Sequence, residues 1–255
     1  IMSFKNNIII NGISLAGFSH IEKNIPCQDG NAFKFYDNKY ILAVTDGAGS
    51  CKHSHLASKF IAEKLVNNLD PSELLEKTNK IKFKLELINF INDSFAELIT
   101  RESSNIPDIK MSDLATTLIL VIGNQERGFI FHVGDGAALI LDSKNMENFI
   151  ISEPMNGQYA NETYFITMKK WEDHLRIREF DIKFDSIFLF SDGVTPLSLI
   201  KGKKPFEGFL SPLINHIKKN KNKDYMNVLK NTLNSERVRK ITDDDKTIAF
   251  LLKSD

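Results

Sequence analysis

Apolar residues in this chain recur with two different periods, and the two periods occupy separate blocks of sequence. Alternating, strand-like patterns cover residues 8–18, 31–36 and 40–45, and helical spacing then takes over in residues 54–69 and 80–102. Strands that follow one another directly pair antiparallel, whereas a parallel sheet needs a crossover, usually a helix, between strands. The segregation therefore predicts an α+β fold with mainly antiparallel sheets.

The second half of the chain continues this pattern without a linker. Further strands are predicted for residues 116–122, 128–133, 137–141, 176–182, 186–190 and 247–252, and further helices for residues 210–219 and 225–234. Residues 142–170 are polar and are predicted to be irregular. No repeat or Pro/Gly-rich segment interrupts the chain, so we expect residues 2–255 to form a single domain.

Apolar spacing also predicts the buried face of the two long helices in the first half. In residues 54–69 this face comprises Leu56, Phe60, the stem of Lys64 and Leu65. In residues 80–102 it comprises Phe83, Leu87, Phe90 or Ile91, Phe95 and Leu98.

Composition narrows the classes of function. The 255 residues include 33 basic and 33 acidic side chains, so the chain lacks the strongly positive field that holds nucleic acids, and no nucleic-acid partner is expected. The longest apolar runs, such as residues 119–122, are too short to span a bilayer, so no membrane partner is expected. Two cysteines make no disulfide framework and no signal-peptide pattern is present, so the expected location is the cytoplasm.

Carboxylates stand at the ends of several predicted strands, most of them beside glycine. Asp46 and Asp192 each follow an apolar strand, Asp135 lies between two strands, and Asp29 and Asp244 each come shortly before one. A strand end fixes a carboxylate, and an adjacent glycine lets backbone oxygens or waters approach closely. If these side chains converge, they form an all-oxygen site suited to Mg²⁺ or Mn²⁺. For any single Asp-Gly pair, a simple turn is the better interpretation, but for five such sites together it is the weaker one.

Six segments, in this order, resemble the metal-dependent protein phosphatase 2C family. They are Cys27-Gln28-Asp29, Asp46-Gly47-Ala48-Gly49, Leu114-Ala115-Thr116-Thr117-Leu118, Gly134-Asp135-Gly136, Ser191-Asp192-Gly193 and Asp244-Asp245-Lys246-Thr247. Further segments are similar to a bacterial branch of the family, among them Ser19-His20, Pro26-Cys27-Gln28-Asp29 and Tyr159-Ala160-Asn161-Glu162-Thr163. The resemblance extends from about Gly17 to Leu252.

The resemblance implies two antiparallel β-sheets in a central sandwich, flanked by pairs of α-helices, with two Mg²⁺ or Mn²⁺ ions at one end. By position, Asp46 would bridge both ions and the Gly47 carbonyl would bind one of them. Asp192 and Asp244 would complete the shell of the other ion, and Asp29 would act at the edge of the site through a metal-bound water.

Two more features are implied by the bacterial branch. Asp135 matches a position that helps to hold a weaker third ion together with the Asp192 position. Residues 142–170 fall where the family carries a mobile flap over the substrate cleft.

The implied chemistry needs no protein nucleophile. Two divalent cations would neutralise the anionic phosphate ester and lower the pKa of a bridging water, giving hydroxide near neutral pH for attack on phosphorus. A cysteine phosphatase in its usual form is excluded, because Cys-x5-Arg would need arginine six residues after the cysteine. Phe33 and Ala57 occupy those positions after Cys27 and Cys51.

This chain departs from the usual family pattern at four places. Asn24 stands where many members have a phosphate-gripping arginine, for which Lys23 or His20 could substitute, and Gln28 stands where a glutamate is common. Gly136-Ala137 replaces the usual Ser-Arg, and Asp245 replaces the usual asparagine. The departures bear on phosphate affinity and substrate range more than on metal binding.

Histidines offer further candidates. His20 is the best candidate for a general acid that protonates the leaving alkoxide, although a surface turn histidine is an equally good interpretation. Cys51, His53 and His55 could suggest a zinc site, but a fourth ligand is missing and the segment opens a helix. His132 lies on an apolar strand and is expected in the core, whereas Asp113 either hydrogen-bonds near the site or ends a loop.

The expected function is a Mg²⁺- or Mn²⁺-dependent phosphatase acting on phosphoserine or phosphothreonine in proteins, opposite a serine/threonine kinase. Its catalytic residues would be Asp46, Asp192 and His20. A catalytically silent phosphoprotein-binding module of the same fold is an alternative, supported by Asn24 in place of arginine. A phosphatase of a small phosphorylated molecule is another.

Overall fold

The predicted blocks of strands and helices are present, and the predicted fold class is confirmed. The computed structural model describes residues 8–77, 79–155, 163–181, 184–220 and 224–254. The strands are β1 (Ile8–Leu15), β2 (Asp29–Tyr36), β3 (Lys39–Asp46), β4 (Leu118–Gly123), β5 (Arg127–Val133), β6 (Ala137–Asp142), β7 (Asn145–Ser152), β8 (Arg176–Asp181), β9 (Ser186–Phe190), β10 (Leu199–Ile200), β11 (Lys204–Pro205) and β12 (Lys246–Lys253). The helices are α1 (Phe18–Glu22), α2 (Ser54–Asn68), α3 (Ser72–Lys77), α4 (Lys80–Glu102), α5 (Thr195–Ser198), α6 (Glu207–Lys219), α7 (Tyr225–Leu233) and α8 (Glu236–Arg239).

Strand alternation sorts the core into three apolar layers. One sheet has the strand order β1-β12-β9-β6-β7 and the other β2-β3-β4-β5-β8, with antiparallel pairing throughout. In β3, Leu42 and Val44 belong to the layer between the sheets, whereas Ile41 and Ala43 belong to the layer under α2 and α4. Helices α6 and α7 cover the outer face of the first sheet. The sandwich is therefore flanked by two pairs of helices.

Two predictions about individual elements are wrong. Residues 145–152, predicted to be irregular, form β7, which is an edge strand with one exposed side. Its exposed polar residues interrupt the apolar alternation on which the prediction depended. Phe18, predicted to end the first strand, instead begins α1. The preceding Gly17 packs so closely that a Cβ there would lie 2.3 Å from the Asp243 carbonyl oxygen.

Some predicted features fall outside the described residues. These are residues 156–162, which include the branch-like Tyr159–Glu162 and part of the predicted flap, and Ile182 at the end of the predicted eighth strand. The flap stays a prediction. Among the residues that the structure does describe, no helix is both long and apolar enough to cross a membrane.

The buried face of α2 differs from the prediction except at Leu65, which is fully buried as predicted, while that of α4 agrees with the prediction. In α2 the fully buried side chains include Ala57, Ile61 and Ala62, whereas Leu56 and Phe60 are only partly buried. Small residues occupy the inner face because the helix touches the sheet backbone: a Cβ on Gly30 of β2 would lie 2.6 Å from the Ser58 carbonyl carbon. A prediction based on the large apolar residues alone therefore indicated a neighbouring face of the helix.

We expect the core beneath α2 to respond strongly to truncation. Ile61 is fully buried, so Ile61→Ala should lower the free energy of unfolding by about 2–5 kcal/mol, because it removes buried methylene groups and leaves a cavity. Ile81 in α4 is 78% exposed and serves as the matched control, for which Ile81→Ala should change stability by less than about 0.5 kcal/mol. Urea denaturation measures both, and equal effects would contradict this packing.

Candidate metal centre

Four strand ends bring aspartates to one end of the sandwich. Asp46 is the last residue of β3, and Asp192 follows β9 by two positions. Asp135 lies in the turn from β5 to β6, and Asp244 precedes β12 by two positions. Strand β9 pairs with both β6 and β12, so three of these aspartates meet at neighbouring strands of one sheet, and Asp46 joins them from the other sheet.

Hydrogen bonds to the backbone fix the position of Asp46. Its N–H donates to the Thr117 hydroxyl (3.0 Å), and its carbonyl accepts from the Thr117 N–H (2.8 Å) and the Thr116 hydroxyl (3.0 Å). The Ala48 N–H donates to the Ala115 carbonyl (2.9 Å). The Ala-Thr-Thr segment, one of the family-like motifs, thus holds the chain on both sides of Gly47.

The glycines that follow two of these aspartates are required by close packing and not by a turn alone. A Cβ on Gly47 would lie 2.6 Å from the Gln28 carbonyl oxygen, and one on Gly193 would lie 1.9 Å from the Asp245 carbonyl oxygen. Since side chains do not fit at these separations, the glycines let neighbouring segments approach the metal-ligand positions. For these two pairs, the simple-turn interpretation is insufficient.

Three of the carboxylates at strand ends converge. Oxygens of Asp46, Asp135 and Asp192 lie within 4.8 Å of one another. They face a cavity of about 480 Å³ that Asp244 also lines. The other lining residues are Gly47, Ala48, Gly49, Ser50, Thr117, Thr163, Tyr164, Phe165 and Met168.

Burial and mutual repulsion oppose ionisation of this cluster. Burial raises the pKa of Asp46 well above its usual value, and neighbouring carboxylates raise it further. Burial and then the Asp244 carboxylate raise the pKa of Asp192 to about 6. Burial also raises the pKa of Asp135, although the Thr163 hydroxyl donates a hydrogen bond to it. A divalent cation would relieve this repulsion, and an all-carboxylate donor set suits Mg²⁺ or Mn²⁺.

Asp29 lies behind the cluster and not in the cavity lining. It is fully buried and pairs with Asp46 across β2 and β3. In the described part of the chain, no group donates a well-oriented hydrogen bond to either carboxylate oxygen, although the Thr247 and Ser191 hydroxyls are near enough to lower the pKa part of the way. Burial, and then the Asp245 carboxylate, nevertheless raise that pKa well above its usual value. A buried carboxylate with such weak support fits a place at the edge of a cation site.

Asp245 anchors the segment before β2, a role that the sequence did not predict. Its Oδ1 accepts from the Gly17 N–H (2.6 Å) and lies 2.9 Å from Nδ1 of His20, and its Oδ2 accepts from the Gln28 N–H (2.5 Å). One side chain thus ties β12 to both ends of the α1 region. The only sign of this role in the sequence was the aspartate itself, which stands where asparagine is usual in the family.

His20 and Asn24, both singled out in the sequence, lie at the α1 segment. His20 is bound to Asp245 and is not among the residues that line the cavity. Asn24 is exposed and adopts a left-handed backbone conformation with φ 54°, which favours asparagine over arginine on local grounds. The structure therefore supplies a backbone reason for the unusual residue at this position.

The remaining candidates lie apart from the cavity. Within the described part of the chain, the only three His, Cys, Asp or Glu side chains placed to hold one metal ion are the aspartates of the cluster, so Cys51, His53 and His55 form no zinc site. Asp113 lies in the short 3₁₀ helix Met111–Leu114, where its carboxylate accepts a hydrogen bond from the Lys110 N–H (2.8 Å). His132 is fully buried, as expected.

Comparisons with known proteins find similarity to phosphatases. A sequence model described as protein phosphatase 2C matches residues 16–234. The chain is 26% identical over 257 residues to serine/threonine-protein phosphatase 3 of Escherichia coli (strain K12), covering 94% of this chain and 96% of that protein.

Solved structures of similar fold include a phosphatase and a protein in complex with magnesium. Serine/threonine phosphatase Stp1 from Staphylococcus aureus aligns with a TM-score of 0.60 and 18% identity, over 97% of this chain and 95% of that one. RsbX in complex with magnesium aligns with a TM-score of 0.54 and 15% identity, over 97% and 96%.

Removing charge from the cluster should stabilise the metal-free protein. Because the pKa of Asp192 is raised in the fold, the folded state binds more protons than the unfolded state between about pH 4 and 6, and stability falls as the pH rises through that range. At pH 7.5, Asp192→Asn should raise the metal-free Tm by about 2–6 °C, and the gain should shrink at pH 5.

Thermal unfolding with and without Mn²⁺ checks this prediction. Wild-type protein should gain stability on addition of the ion at pH 7.5, and Asp192→Asn should gain little. The exposed Asp93 in α4 offers a matched control, since Asp93→Asn should leave both the Tm and its response to the ion unchanged. A destabilised Asp192→Asn at pH 7.5 would contradict the repulsion inferred here.

Proposed function

The chain belongs to the protein phosphatase 2C family, whose members are metal-dependent phosphatases, and from this premise we propose that it hydrolyses phosphoserine and phosphothreonine in proteins with Mg²⁺ or Mn²⁺. The observation that carries the proposal is the convergence of the Asp46, Asp135 and Asp192 carboxylates in one cavity. Alone, this cavity would repel an anionic phosphate ester. With cations in place, the same carboxylates become the means of binding it.

Each metal-binding role is assigned to one of the converging residues. Asp46 would bridge two ions, the Gly47 carbonyl would bind one of them, and Asp192 with Asp244 would hold the other. Asp135 would help to hold a possible third ion together with Asp192. Bound ions would supply charge neutralisation and an activated water, and Asp29 would support that site from behind the cluster.

Hydroxyl groups of neighbouring residues hold two of these ligands in position. Thr117 and Thr116 fix the backbone of Asp46, and the Thr163 hydroxyl orients the Asp135 carboxylate. Because these partners are hydroxyls, they add no charge and leave the full negative field for cations. The four positions that the family resemblance assigns to the two ions, Asp46, Gly47, Asp192 and Asp244, are all present. A silent phosphoprotein-binding module is therefore not favoured.

His20 is proposed to protonate the leaving alkoxide. Its Nδ1 lies 2.9 Å from the Asp245 carboxylate, which leaves Nε2 as the nitrogen that would deliver a proton. The place of His20 outside the cavity lining would put this transfer at the rim of the site.

A phosphorylated protein as substrate makes a serine/threonine kinase the natural opposing enzyme. The related phosphatases named above support a protein substrate, and the two free cysteines, Cys27 and Cys51, suit the reducing cytoplasm. An enzyme for a small phosphorylated molecule would instead turn over small esters well and ignore phosphopeptides.

Hydrolysis of a phosphothreonine peptide by metal-stripped protein tests the proposed function. Activity should appear only after addition of Mn²⁺ or Mg²⁺, and Asp46→Asn should reduce it by at least roughly a hundredfold because it removes the ligand proposed to bridge the ions. Asp93→Asn is the matched control and should retain activity. Near-native turnover by Asp46→Asn would exclude this site, and silence of the metal-loaded wild type would favour the binding module.

The role of His20 is tested by comparing leaving groups. His20→Gln should slow the phosphothreonine peptide by about 10²-fold or more, because an alkoxide needs a proton as it leaves. An aryl phosphate such as p-nitrophenyl phosphate should be almost unaffected, since its leaving group is stable as an anion. Equal losses on both substrates would indicate that His20 positions the site through Asp245 instead of acting as the acid.

A further inference from the structure

A second pocket, separate from the metal centre, lies where the two sheets separate at one edge of the sandwich. It encloses about 450 Å³ and is lined by residues 151–155, at and after the end of β7, and residues 176–178 of β8. Both strands are at the edges of their sheets. Its distinguishing feature is a pair of arginines, Arg176 and Arg178.

Strand alternation directs both arginines between the sheets. Arg176, Arg178 and Phe180 lie on the same face of β8, and Phe180 is buried in the apolar layer between the sheets. Arg178 pairs in register with Ile130, which belongs to that same layer. Both side chains therefore stand at the edge of an apolar layer; Arg178 is exposed, whereas the partly buried charge of Arg176 is costly unless it is paired.

Arg176 is held by a partner that does not neutralise it. Its Nη2 lies 2.9 Å from Nδ1 of His132, and because arginine can only donate, Nδ1 is the acceptor. Burial, and then the charge of Arg176, lower the pKa of His132 well below its usual value, so the ring is neutral. The Ser152 hydroxyl lies 2.8 Å from the same nitrogen. Nε of Arg176 is buried, and none of the residues that the structure describes accepts a hydrogen bond from it.

Arg178 is also bound to a neutral acceptor. Its Nη1 donates to the Ile151 carbonyl (2.6 Å), which links β8 to β7 of the opposite sheet. Within the described ranges, neither arginine has a carboxylate within 4.0 Å; the acidic member of the lining, Glu153, is exposed, and its charge acts on Arg176 from a greater distance. Two positioned guanidinium groups thus keep their charge available in one pocket, the arrangement that binds carboxylate and phosphoryl groups.

The pocket is close to the metal centre along the chain. His132, which holds Arg176, precedes Asp135 by three residues, a span of at most about 10 Å. The Met155 N–H in the pocket wall donates to the carbonyl of Gly134, the residue before Asp135 (3.0 Å). An extended peptide covers the same distance in about three residues.

We propose that the Arg176–Arg178 pocket binds an acidic group of the substrate polypeptide, a carboxylate or a second phosphoryl group, about three residues from the phosphorylated residue. This proposal rests on the proposed function and specifies its substrate class. The pocket would offset the repulsion that an acidic peptide meets at the aspartate cluster. It selects acidic phosphoproteins over neutral or basic ones.

Phosphothreonine peptides of one length test the proposal. One peptide has alanine around the phosphothreonine, and the others carry aspartate, phosphoserine or lysine two, three or four residues to either side. For the wild type, kcat/KM should be roughly five- to tenfold higher for an acidic group at the favoured position than for alanine, and lower for lysine. The preference should weaken as salt is raised.

Substitution of the arginines separates recognition from support of the fold. Arg178→Gln keeps an exposed side chain, so it should remove most of the acidic preference while leaving turnover of the alanine peptide and of p-nitrophenyl phosphate unchanged. Arg176→Gln should do the same if it folds. Arg237→Gln removes an exposed arginine of α8, far along the chain from the pocket, and should keep the preference.

Two results would overturn the proposal. One is a wild type that shows no acidic preference at any of the positions, and the other is an Arg178→Gln variant that loses activity equally on the alanine and acidic peptides. If no peptide is hydrolysed at all, the proposed function fails while the pocket is still tested. Fluorescence anisotropy should then find a labelled acidic peptide bound more weakly by Arg178→Gln than by the wild type, and equal binding would exclude the pocket.

Discussion

Repulsion among carboxylates buried at one end of the sandwich is the constraint on which the rest of this structure depends. Three carboxylates within 4.8 Å of one another, with two more close by, oppose ionisation and oppose folding near neutral pH. The fold withstands this because the large apolar layers lie elsewhere, between and outside the sheets. The charged end is thus a locally unfavourable site that a cation can stabilise, which is what a metal-binding site requires.

The framework around the carboxylates is correspondingly rigid and mostly uncharged. Asp46 is held by backbone groups and the hydroxyls of Thr116 and Thr117, and the segments beside Gly47 and Gly193 approach too closely for any larger residue. Each of these contacts crosses between chain segments that are distant in sequence. Geometry is therefore set before an ion arrives, so that binding does not have to order the ligands.

The sequence predicted what depends on local pattern and could not predict what depends on tertiary contact. The period of apolar residues located most strands and all four long helices, and the strand-end aspartates indicated the site. It misplaced the buried face of α2, because close contact between Gly30 and Ser58 favours small residues there. It missed β7, whose exposed edge lacks apolar alternation. The anchoring role of Asp245 was invisible, since its partners Gly17 and Gln28 lie more than 200 residues away.

Two departures of this chain from its family's usual pattern compensate each other in charge. Glutamine at position 28 removes a negative charge, and aspartate at position 245 restores one beside it, where its Oδ2 binds the Gln28 N–H. The next residue, Lys246, is fully buried, with its ammonium group 4.7 Å from the Phe18 ring centre and 3.3 Å from the Asp244 carbonyl oxygen. A cation at this depth offsets part of the added charge without entering the cavity. The site therefore keeps its ligands and its field for divalent ions.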